Sequence, residues 1–366
     1  MDHLKQIDWW RPEIGTVESE LIQEVLNSNY LNEGEVTTRF EGAIAKRVGS
    51  LYAIGVTSGT AALYLSLMSL GIGPGDEVIV PDITFIATAN AVTMTGAKAI
   101  LVDINPDNLT MSPDSFEKAI TSKTKAVIPV HVSGRGGSIY SILEIANKKG
   151  IPVVEDAAEA LLSKCQSRFL GTLGIAGCFS FSPNKTITTG QGGMVVTNDR
   201  TIHDRLRELK DQGRPVRGTG GDDIHPTLGF NFKLTNLQAA VGMGQLTYLT
   251  SRVDRQKRIY ELYHDGLQGF DGIRLFPFDT VGGEIPQWTD ALADKRNQLD
   301  TYLREHGAQC RRFWHPLHTQ KPYLEANNRF INSTRLSPMA IWLPSAFQTT
   351  DQEILTVCTL IKRFYS

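Results

Sequence analysis

The stretch Phe179-Ser-Phe-Ser-Pro-Asn-Lys185-Thr-Ile-Thr-Thr-Gly-Gln-Gly-Gly-Met194 sets one lysine between a serine-bearing aromatic segment and a run of small residues and glycines. A lysine serves as a covalent catalyst only when its amine is neutral and firmly held. Burial and neighbouring positive charge free the lone pair for attack on a carbonyl. The glycines that follow let a backbone approach a ligand closely. On either side, Cys178-Phe-Ser-Phe181 and Gly193-Met-Val-Val-Thr197 read as two strands joined through the lysine segment.

Working outward, Glu77-Val-Ile-Val-Pro81, Ala99-Ile-Leu-Val-Asp103, Lys125-Ala-Val-Ile-Pro-Val-His131 and Ile151-Pro-Val-Val-Glu-Asp156 are apolar, β-branched runs typical of buried strands. Between them, 112–121 and 138–149 read as helices: Ser112 caps the first with Pro113 behind it, and Gly150 stops the second. Strand and helix alternating at this spacing specify an α/β fold with a mainly parallel sheet covered on both faces. Long helices are expected over 234–249 and 251–266. The texture then changes to a smaller α+β unit, with a strand near 287–292 and helices over 295–306 and 351–365. The expected division is a large domain over 1–250 and a small C-terminal domain over 251–366. The glycine-rich stretch 214–223 is either a surface loop or a lid over a site.

Composition narrows the function. With 37 basic and 39 acidic side chains the net charge is −2, so nothing global points to nucleic acid or a membrane surface. No apolar run approaches the roughly 20 residues of a transmembrane helix, and the N-terminus lacks the apolar core of a signal peptide. Cys165, Cys178, Cys310 and Cys358 have no metal-ligand spacing. They read as reduced thiols of a cytoplasmic protein, and no metal site is expected.

Val56-Thr57-Ser58-Gly59-Thr60-Ala61-Ala62-Leu63 couples a tight turn to a helix. Amides at its N-terminus, with the Ser58 and Thr60 hydroxyls, make an anion site, although a Ser-Gly-Thr turn also caps ordinary helices. Phe85 follows a strand end, where it either covers a planar ligand or joins the core. Asp156 ends the strongest strand and either caps a helix, with Glu159 completing a capping box, or serves chemistry. The pairing of a held lysine with a strand-end aspartate is what pyridoxal phosphate requires: one carries the cofactor, the other keeps its pyridine nitrogen protonated.

At these residues the chain resembles the DegT/DnrJ/StrS family of sugar aminotransferases, a branch of the fold-type I pyridoxal phosphate enzymes. The resemblance rests on Thr57-Ser-Gly-Thr-Ala-Ala-Leu63, Gly75-Asp-Glu-Val-Ile-Val-Pro81, Glu155-Asp-Ala-Ala-Glu159, Phe179-Ser-Phe181, Asn184-Lys-Thr-Ile-Thr-Thr-Gly190 and Gly229-Phe-Asn-Phe-Lys-Leu-Thr-Asn-Leu-Gln-Ala-Ala240. It implies that Lys185 carries the cofactor and shuttles protons, Asp156 pairs with the ring nitrogen, and Phe85 stacks on the ring. It further implies that Ser58, Gly59, Thr60 and Ser180 hold the phosphate, and that Asn231 reaches it from the second subunit of a homodimer. Glu159 stands beside the ring hydroxyl, as in relatives acting on 4-keto-6-deoxy sugars. Lys233 departs from the arginine common in the family's Gly-x-Asn-x-Arg pattern.

The segment Arg311-Arg-Phe-Trp-His-Pro-Leu-His-Thr-Gln-Lys-Pro-Tyr323 resembles the family's sugar-nucleotide region, which makes Trp314, His318 and Tyr323 the implied substrate contacts. The competing reading is a loop packing one domain on the other. Physically it offers cations for a diphosphate and aromatics for a base or sugar. The implied substrates are L-glutamate and a nucleotide-linked 4-keto-6-deoxyhexose, GDP-linked by the resemblance to perosamine synthases, with UDP- or dTDP-linked sugars as alternatives. Relatives that remove a sugar 3-hydroxyl carry histidine where this chain has Lys185, so lysine favours amine transfer over the keto-sugar dehydratase alternative.

Overall fold

A computed structural model of the chain describes residues 6–215 and 223–366. The core of the stretch expected as loop or lid, 216–222, lies outside the described residues. Parallel strands Lys98–Val102, Glu77–Pro81 and Thr124–Val127 lie side by side. Strands Val154–Asp156, Ala176–Ser180, Gly193–Thr197 and Tyr52–Val56 form a second group in that order. Parallel bridges from Val127 to Val153 and from Val130 to Asp156 join the groups into one layer. Only Gly193–Thr197 opposes its neighbours.

The expected strand over 125–131 is shorter than read, ending at Val127. Pro129 cannot donate to a ladder, yet its carbonyl still accepts from the Asp156 N–H at 2.9 Å. The chain then turns through His131 to Arg135, with Ser133 at φ 52° and ψ 17°.

Helix Gly59–Ser69 is apolar on nearly every face, as befits a fully enclosed element. Its residues from Ala61 to Leu67 are buried, packed against strands Ala176–Ser180 and Gly193–Thr197 and helices Ala87–Met94 and Arg200–Lys210. The long helix expected over 234–249 is shorter: Asn236–Gln245, opened by a reciprocal Thr235–Gln238 capping box. Helix Leu249–Leu267 then bridges two cores, with Leu249 in that of the large sheet and Ile259, Tyr263 and Leu267 in a second one.

That second core lies under an antiparallel sheet in the order Ile273–Leu275, Asp290–Ala293, Ala340–Trp342, Arg311–Arg312. Helices Arg296–Glu305 and Asp351–Tyr365 cover it. The N-terminal segment packs here as well: the Ile7 N–H donates to the Gly307 carbonyl at 2.8 Å and the Gln309 N–H donates back at 2.9 Å. One buried ion pair ties this unit to the large sheet. Arg135 Nη1 donates to Asp290 Oδ2 at 2.9 Å, and the guanidinium lies 3.9 Å from the Phe278 ring centroid.

Cys178, Cys310 and Cys358 are buried and Cys165 is half-buried, and all four are free thiols. Among the described residues, no helix is long and apolar enough to cross a membrane.

Candidate active site

The C-terminal edge of the large sheet opens into a cavity of about 330 Å³. Ser58, Gly59, Thr60, Phe85, Asp156, Glu159, Ser180 and Lys185 all line it, and so does Trp314 from the small unit. A parallel sheet gathers side chains from distant sequence at this edge, because every strand ends there and hands its next residues to a loop.

Lys185 reaches the cavity from the turn after strand Ala176–Ser180. Its Nζ lies 3.2 Å from Glu159 Oε1 and 4.9 Å from the Trp288 ring centroid. The other Glu159 oxygen accepts from the Ser133 N–H at 2.9 Å. Burial raises the Glu159 pKa, opposed by the nearby Lys185 charge and the Ser133 hydrogen bond. No helix begins after Asp156; the chain turns instead. The capping-box reading of Asp156 and Glu159 therefore has no helix to cap.

Asp156 accepts from the Thr88 hydroxyl at 2.7 Å and from the Ala158 N–H at 3.2 Å. Burial raises its pKa, and those hydrogen bonds with the Lys185 charge pull it back. No cation stands within ion-pair distance of it among the described residues. Such a carboxylate is costly unless a positive partner arrives. Its neighbour Glu155 faces the other way and is structural: buried, it pairs with His131 at 2.8 Å. It also accepts from the Gly171, Leu173 and Gly174 N–H groups.

At the opposite end of the cavity, Ser58 caps helix Gly59–Ser69 by accepting from the Ala61 N–H at 3.1 Å. The amides of Gly59 and Thr60 remain without partners inside the helix and provide an anion site. Two close approaches fix this turn. A Cβ on Gly59 would lie 3.0 Å from the Ser180 side chain, and one on Gly193 would lie 2.4 Å from the Ser58 backbone. Phe85 is 53% exposed, a costly position for an aromatic unless a ring covers it.

Three residues implied by the resemblance lie elsewhere in this chain. Asn231 is exposed, on a strip whose Phe232 carbonyl accepts from the Thr57 N–H at 3.1 Å, and it does not line the cavity. Beside it, Lys233 is ion-paired with Asp211. His318 is 0% exposed; its Nδ1 lies 2.7 Å from Asp82, its Nε2 3.1 Å from Asn327, and Phe330 stacks on its ring. Tyr323 donates its hydroxyl to Asn90 at 2.8 Å. His318 thus fastens its segment to the end of strand Glu77–Pro81 as a fully enclosed side chain, whereas Tyr323 is half-buried and rests on helix Ala87–Met94.

The fold also brings in residues that no local pattern singled out: Thr88, Trp288 and Trp342 line the cavity, with Ser133 behind Glu159, and Arg311, the first residue of the segment that resembles the sugar-nucleotide region, joins them. Thr88 lies three residues past Phe85, one helical turn on, and that spacing was its only signal. All five tryptophans of the chain cluster here: Trp9, Trp288 and Trp342 in mutual contact, with Trp314 on Trp342 and Trp10 on Trp288.

An electron-poor ring would meet a carboxylate lacking a cation, an exposed aromatic face, a cluster of unpaired amides and a held lysine. That set fits pyridoxal phosphate. A family model described as the DegT/DnrJ/EryC1/StrS aminotransferase family matches residues 12–362. The chain belongs to that family. It is 35% identical over 99% of its length to the whole of a GDP-perosamine synthase from Escherichia coli O157:H7. A GDP-perosamine synthase from Caulobacter vibrioides is 36% identical, over 88% of each chain. Among solved structures, S. venezuelae DesV superposes with a TM-score of 0.92 at 30% identity, over 99% of both chains. The α/β fold and the aminotransferase class expected from the resemblance are thereby established.

Proposed function

We propose that this aminotransferase uses pyridoxal phosphate to move an amino group from L-glutamate to a nucleotide-linked 4-keto-6-deoxyhexose, GDP-linked as in the perosamine synthases it resembles. The observation that carries the chemistry is the Lys185 amine, 3.2 Å from Glu159 in a cavity that also holds the cation-free Asp156 carboxylate. When bound, the cofactor supplies the electrophilic carbonyl and the electron sink for proton removal beside the amine.

The chain's own residues do the rest. The Asp156 carboxylate holds a proton on the pyridine nitrogen; Thr88 keeps one of its oxygens turned to that task. The Gly59 and Thr60 amides with the Ser58 and Ser180 hydroxyls take the phosphate, and Phe85 covers the ring. Lys185 accepts the α-proton of the donor and later returns one to the product carbon. Glu159 orients the lysine. Trp314 is the remaining implied contact for the sugar nucleotide.

The exposed Asn231, on a strip beside the phosphate turn, supports a homodimer in which it serves the partner's site. We place the enzyme in the cytoplasm, where nucleotide sugars and glutamate are available to it, with the domain division near residue 250. The test begins with the absorbance spectrum. Purified protein should show a near-visible cofactor band that shifts with L-glutamate and is missing from Lys185→Ala. A panel of nucleotide keto sugars then decides the acceptor. Amino sugar formed in step with 2-oxoglutarate supports the reading, whereas a deoxy sugar with no retained amine favours the dehydratase.

A further inference from the structure

Lys185 sits on a turn whose carbonyls are held from outside the large sheet, by residues that have no task in the reaction as described above. The Trp10 indole N–H donates to the Pro183 carbonyl at 3.0 Å. On the other side of the lysine, Arg252 Nη1 donates to the Thr186 carbonyl at 3.1 Å. Arg252 lies near the start of helix Leu249–Leu267, which bridges the two cores, and is 3% exposed. The same nitrogen donates to Gln245 Oε1 at 2.6 Å, and that oxygen also accepts from the Thr188 N–H at 3.3 Å. Arg252 Nη2 donates to the Glu13 carbonyl at 3.0 Å, in the N-terminal segment that carries Trp10.

Packing alone does not account for this arginine. Among the described residues, the carboxylate within ion-pair distance is that of Glu13, 3.8 Å away and exposed, and Arg252 Nε has no partner. Burial lowers the guanidinium's pKa, against the pull of Glu13 and Glu18. A buried cation bonded mainly to neutral oxygens gains nothing in stability over a well-packed apolar side chain. What a guanidinium adds is direction, because its planar fork holds several acceptors at fixed angles to one another. Here those acceptors are the backbone next to the lysine, the amide oxygen that supports Thr188, and the N-terminal segment. Misplacing a reacting group by about 1 Å lowers a rate by about 100-fold. We propose that Arg252 is a positioning residue for Lys185, clamping its turn so that side-chain torsions alone move the amine and it returns to one place in both half-reactions. The proposal rests on the aminotransferase reading above and adds the device that keeps its lysine in register.

The test compares wild type with Arg252→Met, Arg252→Lys and, as a stability control, Ile361→Ala, which opens a cavity in the small unit's core. In the cofactor-loaded proteins, bleaching of the cofactor band by L-glutamate gives the rate and half-saturation of the first half-reaction. In the cofactor-free proteins, hydrogen exchange is followed over residues 182–190. R252M should slow bleaching at saturating glutamate about 10- to 100-fold. Half-saturation should move less than about threefold, since the clamp touches no substrate. Exchange over 182–190 should quicken about tenfold in R252M as the turn opens more readily. R252K should recover part of both, because it restores a donor without the fork, and it carries both readouts if R252M does not fold. Trp10→Phe, which frees the Pro183 carbonyl and keeps an aromatic ring, should slow bleaching by a smaller factor. Unchanged bleaching in R252M overturns the proposal, and so does unchanged exchange. It is also overturned if Ile361→Ala slows bleaching as much as R252M at an equal loss of thermal midpoint, which would leave Arg252 a structural role alone. Should the wild-type band fail to respond to glutamate at all, the aminotransferase reading fails by itself. Faster exchange in cofactor-free R252M would then still support the clamp, and equal exchange would overturn it separately.

Discussion

The backbone N–H of Ser133 donates to Glu159 Oε2 at 2.9 Å, so the carboxylate that steadies Lys185 is itself steadied by a residue in the left-handed conformation. Ser133 is fully buried and also faces the small unit: its hydroxyl accepts from Trp342 Nε1 at 3.1 Å and its carbonyl from the Gln287 N–H at 2.9 Å. One residue thus links the docking of the small unit to the geometry of the catalytic amine. A non-glycine residue at positive φ costs about 1 kcal/mol or more, and it persists only where the surroundings enforce it.

Substitution separates the strain from the hydroxyl. Ser133→Ala keeps the strained backbone and leaves the Trp342 indole N–H unpaired, which should cost about 1–3 kcal/mol. Ser133→Gly loses the same hydroxyl but relieves the left-handed strain. In urea denaturation the glycine variant should therefore be more stable than the alanine variant by about 1 kcal/mol. Equal midpoints would mean that the conformation carries no strain.

The charge on Asp156 has a pH signature. Burial raises its folded-state pKa, so the folded protein binds that proton more tightly than the unfolded chain does. The associated stability is full below the ordinary carboxylate range and is lost as pH rises through the elevated value. Glu159 contributes with the same sign. Cofactor-free Asp156→Asn should show a shallower decline in thermal midpoint over that interval than cofactor-free wild type. Adding pyridoxal phosphate should flatten the wild-type curve much more than that of the variant.

Thr88 sets the strength of this effect. Replacing it with valine keeps the shape and removes the 2.7 Å hydrogen bond to Asp156 Oδ2. The Asp156 pKa should rise further, and cofactor binding should weaken by about 1.5–3 kcal/mol, the size of a hydrogen bond to a charged group. Equilibrium dialysis of pyridoxal phosphate against both proteins measures it.

Gly193 tests how closely the cofactor end is packed. An alanine Cβ there would lie 2.4 Å from the Ser58 carbonyl carbon, so the 57–60 turn or the strand must shift. Overpacking of this kind costs about 1–3 kcal/mol. The expected phenotype of Gly193→Ala is a folded protein of lowered thermal midpoint with weakened cofactor binding. Normal dialysis affinity would show that the turn tolerates displacement.

Asp290→Ala leaves Arg135 buried without a counter-charge, which should destabilise the protein by about 3–5 kcal/mol. Because Arg135 also donates Nε to the Pro277 carbonyl at 3.0 Å, damage should concentrate where the small unit meets the large sheet. Limited proteolysis should show earlier cleavage in the variant around residues 277–290. An unaltered digestion pattern with an unaltered denaturation midpoint would remove Arg135 as the tie between the units.

The sequence by itself determined what local chemistry can express. The alternation of apolar runs and capped helices specified an α/β sheet, since strands and helices announce themselves by period. Lys185, Asp156 and the Ser58–Thr60 turn stood out because each combines a reactive or capping residue with glycine or a strand end. What only the tertiary structure decided was which side chains meet. Trp9, Ser133, Trp288, Arg311 and Trp342 come together through the docking of the small unit, a relationship with no sequence period. His318 lies within a legible motif, yet burial against Asp82 and Phe330 turns it into a fastener. Residue type and spacing are local properties, whereas burial, electrostatic pairing and orientation depend on everything packed around a residue.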